Sequence, residues 1–493
     1  MSPLAQLLLV CTLSLSCVSV ETSPHETATA TPAETVSASE FFTADAQGDD
    51  ALASVRATDR AGRGADGQLP QLSAQEHMRR AAVYHANRAF NEARAHWRTV
   101  IERYPADASV PAAMFGIGRS LYQERSYAEA LPIFQKLGDN YAGTEAGRDG
   151  FYYVAATLLR LERPAEAATR YAEYTTRFPE GERIENAYLN VIDSWREAGR
   201  PEEALAWVPR TRARFAGKPA DTNALFARLR LDVSRADWQT ATRTADELLR
   251  GSFARGVQTS AAEVAYLKAY SLERAGQKEQ AIRVYQTVSD ALGSYYGALA
   301  SERLVRLGGA GRTAGQEREA RVRSQIVAAR ANYPAPFREL ILRATQKQRK
   351  LDPRLLLAIM RQESGFNPRV KSGAAARGLM QLTVDTAAKY AARAGLNTLQ
   401  DDDFYRPEVS IPVAVEYLVE LTNLFPNLPE AVAASYNGGE DNVLRWVKRA
   451  GHDDAGVFAS EVGFTESKDY VFKVMSNYRA YRHLYTEDLR PRR

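Results

Sequence analysis

The chain has 493 residues, too many for a single compact core, so we expect two or more domains. Its composition is that of a globular protein, with 45% hydrophobic and 25% charged residues. A formal net charge of only +4 over this length argues against a dedicated nucleic-acid-binding protein.

The N-terminal segment, residues 1–20, is apolar but too short to span a bilayer comfortably. We interpret it as a secretory signal peptide, although no Lys or Arg precedes Arg56. An uncleaved anchor and lipid attachment at Cys17 are the alternatives, and the residues before Cys17 are a poor lipidation motif. Because Cys11 and Cys17 both lie in this segment, the exported chain is predicted to have no disulfide. No other segment is apolar enough to cross a bilayer.

Residues 21–70 are rich in Thr, Ala, Ser, Asp and Gly and contain few large apolar side chains. Such a segment buries too little apolar surface to offset the entropy lost on ordering. We therefore predict a disordered tether between the export signal and the folded part of the chain.

Residues 71–310 contain a repeat marked by alanines that recur every 37 residues. These alanines are Ala93, Ala130, Ala167, Ala204 and Ala241, and Ala281 follows after a slightly longer interval. An aromatic side chain stands four positions after several of them, as in Trp97, Phe134 and Tyr171. A constant period in this range, with two helices per unit, is typical of an α-solenoid and resembles the tetratricopeptide (TPR) family. Small alanines would let the two helices of a pair approach closely.

After a predicted helical linker over residues 311–345, the final segment, 346–493, begins with a helix that ends in one acidic residue. Asp352 and Pro353 are typical of a helix start, as N-cap and first helical residue. Glu363 lies near the end of this helix, and its face is otherwise apolar. The apolar neighbours on that face are Leu356, Ile359 and Met360.

Two interpretations of Glu363 follow from this helix alone. A single charge near a helix end is commonly a solvated side chain at the edge of an apolar face. Alternatively, apolar surroundings disfavour the carboxylate and raise its pKa, which would make Glu363 a general acid near neutral pH. A negative charge near a helix C-terminus also opposes the helix dipole, so Glu363 is poorly placed for stability alone.

Three motifs favour the second interpretation when they are taken together. Glu363-Ser364 is followed by the step Gly378-Leu379-Met380-Gln381 and then by Tyr436-Asn437 with two glycines. With the later stretch FTESKDYV, this pattern resembles the soluble lytic murein transglycosylase family, with its SLT catalytic domain. The segments SYYGALA and YPAPF resemble the junction between the superhelical and catalytic parts of its large members. Ser435 and Glu440 depart from the usual residues around the Tyr-Asn pair, which bears on substrate preference.

The resemblance implies an all-α protein in which a TPR-like solenoid precedes a lysozyme-like α-helical catalytic domain. It also implies that Glu363 is the catalytic acid and base. The substrate-binding residues implied by the resemblance are Ser364, Met380, Gln381, Tyr436, Asn437, Glu466 and Tyr470. Met380 and Gln381 would line the sugar cleft, Tyr436 and Asn437 would lie near the scissile bond, and Glu466 and Tyr470 would close the far side.

The implied reaction is cleavage of the β-1,4 bond between N-acetylmuramic acid (MurNAc) and N-acetylglucosamine (GlcNAc) in peptidoglycan, with a 1,6-anhydro product. The implied location is the periplasm, and the solenoid would guide glycan strands or bind cell-wall proteins. A lysozyme-like hydrolase and a non-catalytic cell-wall-binding solenoid are the alternatives. We expect no metal site, because the six histidines show no ligand spacing. We also expect no cofactor and no nucleic-acid partner.

Overall fold

A computed structural model describes residues 48–346, 350–396, 399–451 and 454–492. The predicted signal peptide, 1–20, and the tether up to residue 47 lie outside these residues. Within them the fold is all-α, as predicted, with 23 α-helices and no strand beyond isolated bridges. No helix in this part of the chain combines the length and the apolar character needed to span a bilayer.

The solenoid consists of consecutive antiparallel helix pairs that follow a first helix, α1 (Asp49–Gly62). The pairs are α2 (Ala74–Ala86) with α3 (Phe90–Arg103), α4 (Val110–Gln123) with α5 (Tyr127–Asn140), α6 (Glu145–Arg160) with α7 (Pro164–Arg177), α8 (Ile184–Glu197) with α9 (Pro201–Arg214), α10 (Pro219–Ser234) with α11 (Trp238–Arg250), α12 (Ala261–Arg274) with α13 (Lys278–Thr287), and α14 (Tyr295–Leu307) with α15 (Gly309–Ala328).

The predicted repeat is confirmed at the level of single side chains. Each repeat alanine is the fourth residue of the second helix of its pair and is fully buried: Ala93, Ala130, Ala167, Ala204, Ala241 and Ala281. The aromatic residues four positions later are also buried: Trp97, Phe134 and Tyr171. The turn inside each of these pairs contains one residue with positive φ: Arg88, Arg125, Glu162, Gly199, Ala236 and Gly276. This conformation, which is costly for a non-glycine residue, lets each pair close with a very short connection.

The prediction of disorder over residues 21–70 is wrong for α1. This helix packs on the solenoid through the buried side chains of Leu52 and Val55, and its Asp59 is also buried. The Asp59 carboxylate accepts hydrogen bonds from Arg80, from Tyr84 at 2.6 Å and from His96 at 3.0 Å. The composition did not reveal this helix, because charge-assisted hydrogen bonds to α2 and α3 supplement its few apolar residues.

The C-terminal helices include α17, the helix predicted to carry Glu363. They are α16 (Arg338–Thr345), α17 (Pro353–Ser364), α18 (Val384–Ala391), α19 (Pro407–Leu424), α20 (Pro429–Gly438), α21 (Glu440–Ala450), α22 (Ala455–Glu461) and α23 (Thr465–Leu484). The helix α17 packs against α23 and α16, and α20 also packs against α23, which brings the ends of three helices together. The predicted linker, 311–345, is largely helical, but its α15 packs against α14 and α23 and forms part of the folded body.

The solenoid contacts the C-terminal helices at several points along its length. Ion pairs connect the two regions near the start, the middle and the end of the solenoid: Arg88 with Asp385, Arg125 with Glu440, Arg196 with Glu461, and Glu263 with Lys468. A hydrophobic core also continues from the last repeats into α23, where the ring of Tyr295 stacks on Phe472 at 4.9 Å between centroids. All of the described residues belong to one compact unit.

Candidate active site

Helix α17 forms as the sequence predicts. The Asp352 side chain caps the helix by accepting a hydrogen bond from the backbone N–H of Arg354 at 2.9 Å, and Pro353 is its first residue. Gly365, with φ of +56°, ends the helix directly after Ser364. The three apolar residues that share the face of Glu363 are fully buried: Leu356, Ile359 and Met360. The carboxyl group of Glu363 therefore lies at the end of an apolar helix face.

The Glu363 side chain is half-buried, and the Tyr470 hydroxyl donates a hydrogen bond to its Oε1 at 2.6 Å. Burial raises the pKa of Glu363, the hydrogen bond from Tyr470 lowers it, and the negative charge of Glu466 raises it, with a net pKa of about 7. Glu363 can therefore hold or release a proton near neutral pH, as a general acid and base must.

The segment after α17, residues 365–382, is the active-site loop, and it returns to the end of α17. Gly378 has φ of +73°, and a Cβ there would lie 1.9 Å from the Phe404 carbonyl oxygen, so only glycine fits. The Gly378 N–H donates to the Val370 carbonyl at 2.8 Å. The Ser364 hydroxyl donates to the Leu379 carbonyl at 2.9 Å and so joins the loop to the residue next to Glu363.

The prediction that Met380 lines the sugar cleft is wrong for its side chain, which is fully buried. The turn directs this side chain into the core, and the Met380 carbonyl accepts a hydrogen bond from the Tyr436 hydroxyl at 2.7 Å. Gln381 has φ of +45°, and its amide donates to the carbonyls of Val370 and Gly378, both at 2.9 Å. Ser364, Met380 and Gln381 thus make contacts that set the path of the loop.

Tyr436 and Asn437 end helix α20 beside the loop. Asn437 is exposed, and its side-chain oxygen accepts a hydrogen bond from the Ser467 hydroxyl at 2.6 Å. Burial and the nearby charge of Glu363 raise the pKa values of Tyr436 and Tyr470 well above the usual value. Both tyrosines therefore remain protonated hydrogen-bond donors at neutral pH.

Glu466 and Tyr470 are brought together with Glu363 by the packing of α23 on α17. They lie one helical turn apart near the start of α23; Glu466 is exposed, whereas Tyr470 is buried. Glu466 acts on Glu363 through its charge, and Tyr470 acts through a hydrogen bond. The structure thus places Tyr470 and the end of α20 next to the carboxyl group of Glu363. Within the described ranges, no group of three or more His, Cys, Asp or Glu residues could hold a metal ion.

Comparison with protein families agrees with this geometry. Residues 340–458 match the Transglycosylase SLT domain, and residues 78–143 and 263–290 match tetratricopeptide repeat families. The C-terminal region is therefore similar to the transglycosylase SLT family. The match contains Glu363, the active-site loop and the end of α20.

Similar proteins share this region. A putative soluble lytic murein transglycosylase of Haemophilus influenzae is 37% identical over 121 residues, which cover 24% of this chain and 20% of the relative. The soluble lytic murein transglycosylase of Salmonella typhimurium is 31% identical over 153 residues, which cover 31% of this chain and 24% of the relative. The matches thus span about a fifth to a quarter of the length of these two relatives.

Two solved structures are similar over most of the chain. An inactive mutant of lytic transglycosylase Slt from Pseudomonas aeruginosa has 21% identity and a TM-score of 0.48, covering 84% of this chain and 73% of that chain. The 70 kDa soluble lytic transglycosylase of Escherichia coli has 17% identity and a TM-score of 0.46, covering 84% of this chain and 81% of that chain.

The SLT domain also contains residues that the sequence motifs did not indicate. Behind Tyr436 lie the rings of Tyr417 and Tyr390, with centroid distances of 5.5 Å between Tyr436 and Tyr417 and 4.9 Å between Tyr417 and Tyr390. They come from α19 and α18, outside every motif, so only their contact with Tyr436 reveals them. Glu440, which departs from the usual motif, accepts hydrogen bonds from Arg125 of the solenoid at 2.6 and 3.1 Å.

Proposed function

We propose that this protein is a peptidoglycan lytic transglycosylase of the periplasm, with Glu363 as its single general acid and base. The observation that carries the proposal is the half-buried Glu363 carboxyl, which has a pKa of about 7 and a hydrogen bond from Tyr470. The SLT family match over residues 340–458 and the similarity to lytic murein transglycosylases support the choice of substrate.

In the proposed reaction, protonated Glu363 gives its proton to the oxygen that joins MurNAc C1 to GlcNAc C4, and the C1–O bond breaks. The N-acetyl group of the substrate steadies the positive charge at C1. The Glu363 carboxylate then takes the proton from the MurNAc O6 hydroxyl while O6 bonds to C1. The products are a 1,6-anhydro-MurNAc end and a GlcNAc end with a free O4 hydroxyl, and no water is consumed.

The surroundings of Glu363 support a single-carboxylate reaction. Many glycosidases place a second carboxylate across the bond as a nucleophile or base. Here Glu363 receives a hydrogen bond from a phenol and lies on an apolar helix face, while Glu466 is an exposed side chain at the start of α23. When Glu363 becomes a carboxylate after the first proton transfer, the Tyr470 hydroxyl stabilises that charge.

The predicted substrate-binding residues divide into two groups under this proposal. Asn437 and Glu466 are exposed beside the site and are proposed to contact the sugars directly. Tyr470 holds the carboxyl of Glu363, and the remaining four hold the active-site loop and the end of α20 against it: Ser364, Met380, Gln381 and Tyr436. The solenoid is proposed to guide glycan strands and to bind other cell-wall proteins.

Digestion of purified peptidoglycan sacculi tests the proposed function. The purified protein is expected to release fragments that end in 1,6-anhydro-MurNAc, and mass spectrometry distinguishes them because each is one water lighter than a hydrolysed fragment. Reducing-end products would instead show a lysozyme-like hydrolase. Binding to sacculi without any released fragments would show a non-catalytic cell-wall-binding protein.

A further inference from the structure

Helix α1 contacts the SLT domain through its first residue, Asp49. The Asp49 carboxylate accepts hydrogen bonds from Lys371 Nζ at 2.6 Å, from an Arg377 guanidinium nitrogen at 2.8 Å and from the Tyr405 hydroxyl at 2.8 Å. Burial acts to raise the pKa of Asp49, but these three hydrogen bonds outweigh it and lower the pKa to about 2. Asp49 is therefore ionised under all ordinary conditions.

Arg377 is the partner that gives this contact its importance. Its side chain is 0% exposed, and it directly precedes Gly378 in the active-site loop. Its backbone pairs with Leu382 across the loop, with N–H to carbonyl distances of 3.0 and 3.3 Å. The ion-pair partners of the Arg377 guanidinium are Asp49 at 2.8 Å and Asp401 at 3.6 Å. Removal of the nearest anion leaves a buried cation uncompensated, which strongly destabilises the conformation that buries it.

Two hydrogen bonds connect this loop to groups beside Glu363. The carbonyl of Leu379, two residues after Arg377, accepts from the Ser364 hydroxyl, and the carbonyl of Met380 accepts from Tyr436. A shift of Arg377 would therefore move groups next to Glu363 as well as the tyrosine at the end of α20.

Helix α1 is itself anchored on the solenoid by buried contacts. Asp59, at the other end of α1, is buried among side chains of α2 and α3. The first solenoid turn reinforces the contact, since the Asn87 side-chain oxygen accepts from Lys371 Nζ at 2.7 Å. Arg56 of α1 also lies 3.9 Å from Asp401, the second anion beside Arg377.

We propose that Asp49 is a positioning residue: it neutralises Arg377 and so holds the active-site loop in the conformation that Glu363 requires. Helix α1, which begins more than 300 residues before Glu363 in the sequence, would then be part of the active-site support. The effect on catalysis rests on the proposed function, whereas the effect on the loop does not.

The test compares Asp49→Asn with Asp50→Asn in the full-length protein. Asp50 is the next residue of the same helix and is exposed, so its substitution removes the same charge without touching Arg377. Hydrogen–deuterium exchange of peptides covering residues 370–382 is expected to be at least about tenfold faster in Asp49→Asn and unchanged in Asp50→Asn. On a soluble glycan, kcat is expected to fall about tenfold with KM within about twofold for Asp49→Asn, and to stay within about twofold for Asp50→Asn.

Equal exchange rates in the two variants would overturn the proposal, and so would faster exchange with an unchanged kcat. If Asp49→Asn does not fold, Arg377→Gln decides, because it removes the guanidinium that Asp49 neutralises at 2.8 Å. Faster exchange of residues 370–382 in that variant would support the proposal, and no change would refute it. Wild-type protein that shows no cleavage would instead overturn the proposed function, while the exchange rates would still report whether Asp49 holds the loop.

Discussion

The helix pairs of the solenoid and the active-site loop of the SLT domain differ in how far along the chain their stabilising contacts reach. In a helix pair, a buried alanine and an aromatic residue four positions later pack against neighbouring helices, as Ala130 and Phe134 do in α5. In the loop, Gly378 contacts Phe404, Met380 contacts Tyr436, and Arg377 contacts Asp49. A substitution in one repeat is expected to affect mainly that repeat and its neighbours, because each unit packs mainly on adjacent units. The conformation of the loop depends on several distant segments at once.

The largest effect is expected at the carboxyl group itself. Glu363→Gln is expected to lower kcat on peptidoglycan by about a thousandfold or more, because the amide keeps the shape of the side chain but cannot transfer a proton. Release of anhydro fragments measures the loss, and circular dichroism confirms the fold. Glu408→Gln, which changes an exposed residue of α19, is the control and should retain activity. Full activity in Glu363→Gln would remove this residue from the mechanism.

A larger side chain at a repeat alanine tests the local packing of the solenoid. Ala130→Leu in α5 is expected to reduce the free energy of unfolding by about 1–3 kcal/mol, because Ala130 is fully buried and extra methyl groups overpack the helix pair. Chemical denaturation measures this value. Ala128→Leu changes an exposed alanine of the same helix and should stay within about 0.5 kcal/mol of the wild type. Equal stability of the two variants would contradict the packing role of the repeat alanines.

Removal of the Tyr470 hydroxyl tests how far its hydrogen bond sets the pKa of Glu363. Tyr470→Phe deletes the 2.6 Å hydrogen bond that lowers the Glu363 pKa, so this pKa is expected to rise above about 7 and kcat to fall about tenfold. The pH dependence of kcat/KM measures the shift, whose direction should be toward higher pH.

Tyr478→Phe is the matched control for that substitution. Tyr478 lies on the same helix and donates a similar hydrogen bond, at 2.8 Å, to Asp352 at the far end of α17. Its loss should leave the pH profile of kcat/KM where it is in the wild type. The same shift in both variants would mean that the phenol of Tyr470 does not act on Glu363 specifically.

The smallest expected effect is a pH dependence of stability. The Glu363 pKa is raised from 4.5 to about 7 on folding, so the folded protein binds more protons than the unfolded chain between these values. The stability contribution of the neutral carboxyl is complete below pH 4.5 and is lost as the pH rises toward 7. The Tm of Glu363→Gln relative to the wild type is therefore expected to increase from pH 4 to pH 8. A constant difference would show that the Glu363 pKa is not raised.

Much of this architecture was predictable because its determinants are repeated or local. The 37-residue spacing of the alanines predicted the helix pairs, and Asp352 and Pro353 marked the start of α17. Glu363 could be selected because three separated motifs resemble one family. The first helix could not be predicted from composition, because the buried carboxylate of Asp59 and its partners in α2 and α3 supplement its few apolar residues.

The sequence by itself determined the solenoid and the start and end of α17, because these depend on residue types at short or regular spacing. The choice of Glu363 rested on the resemblance of three separated motifs to one family. Only the tertiary structure decided that the Met380 side chain is buried, that Tyr470 holds Glu363 and that Asp49 reaches Arg377. The physical reason is that the pKa of a carboxyl and the path of a loop depend on which distant groups are packed around them.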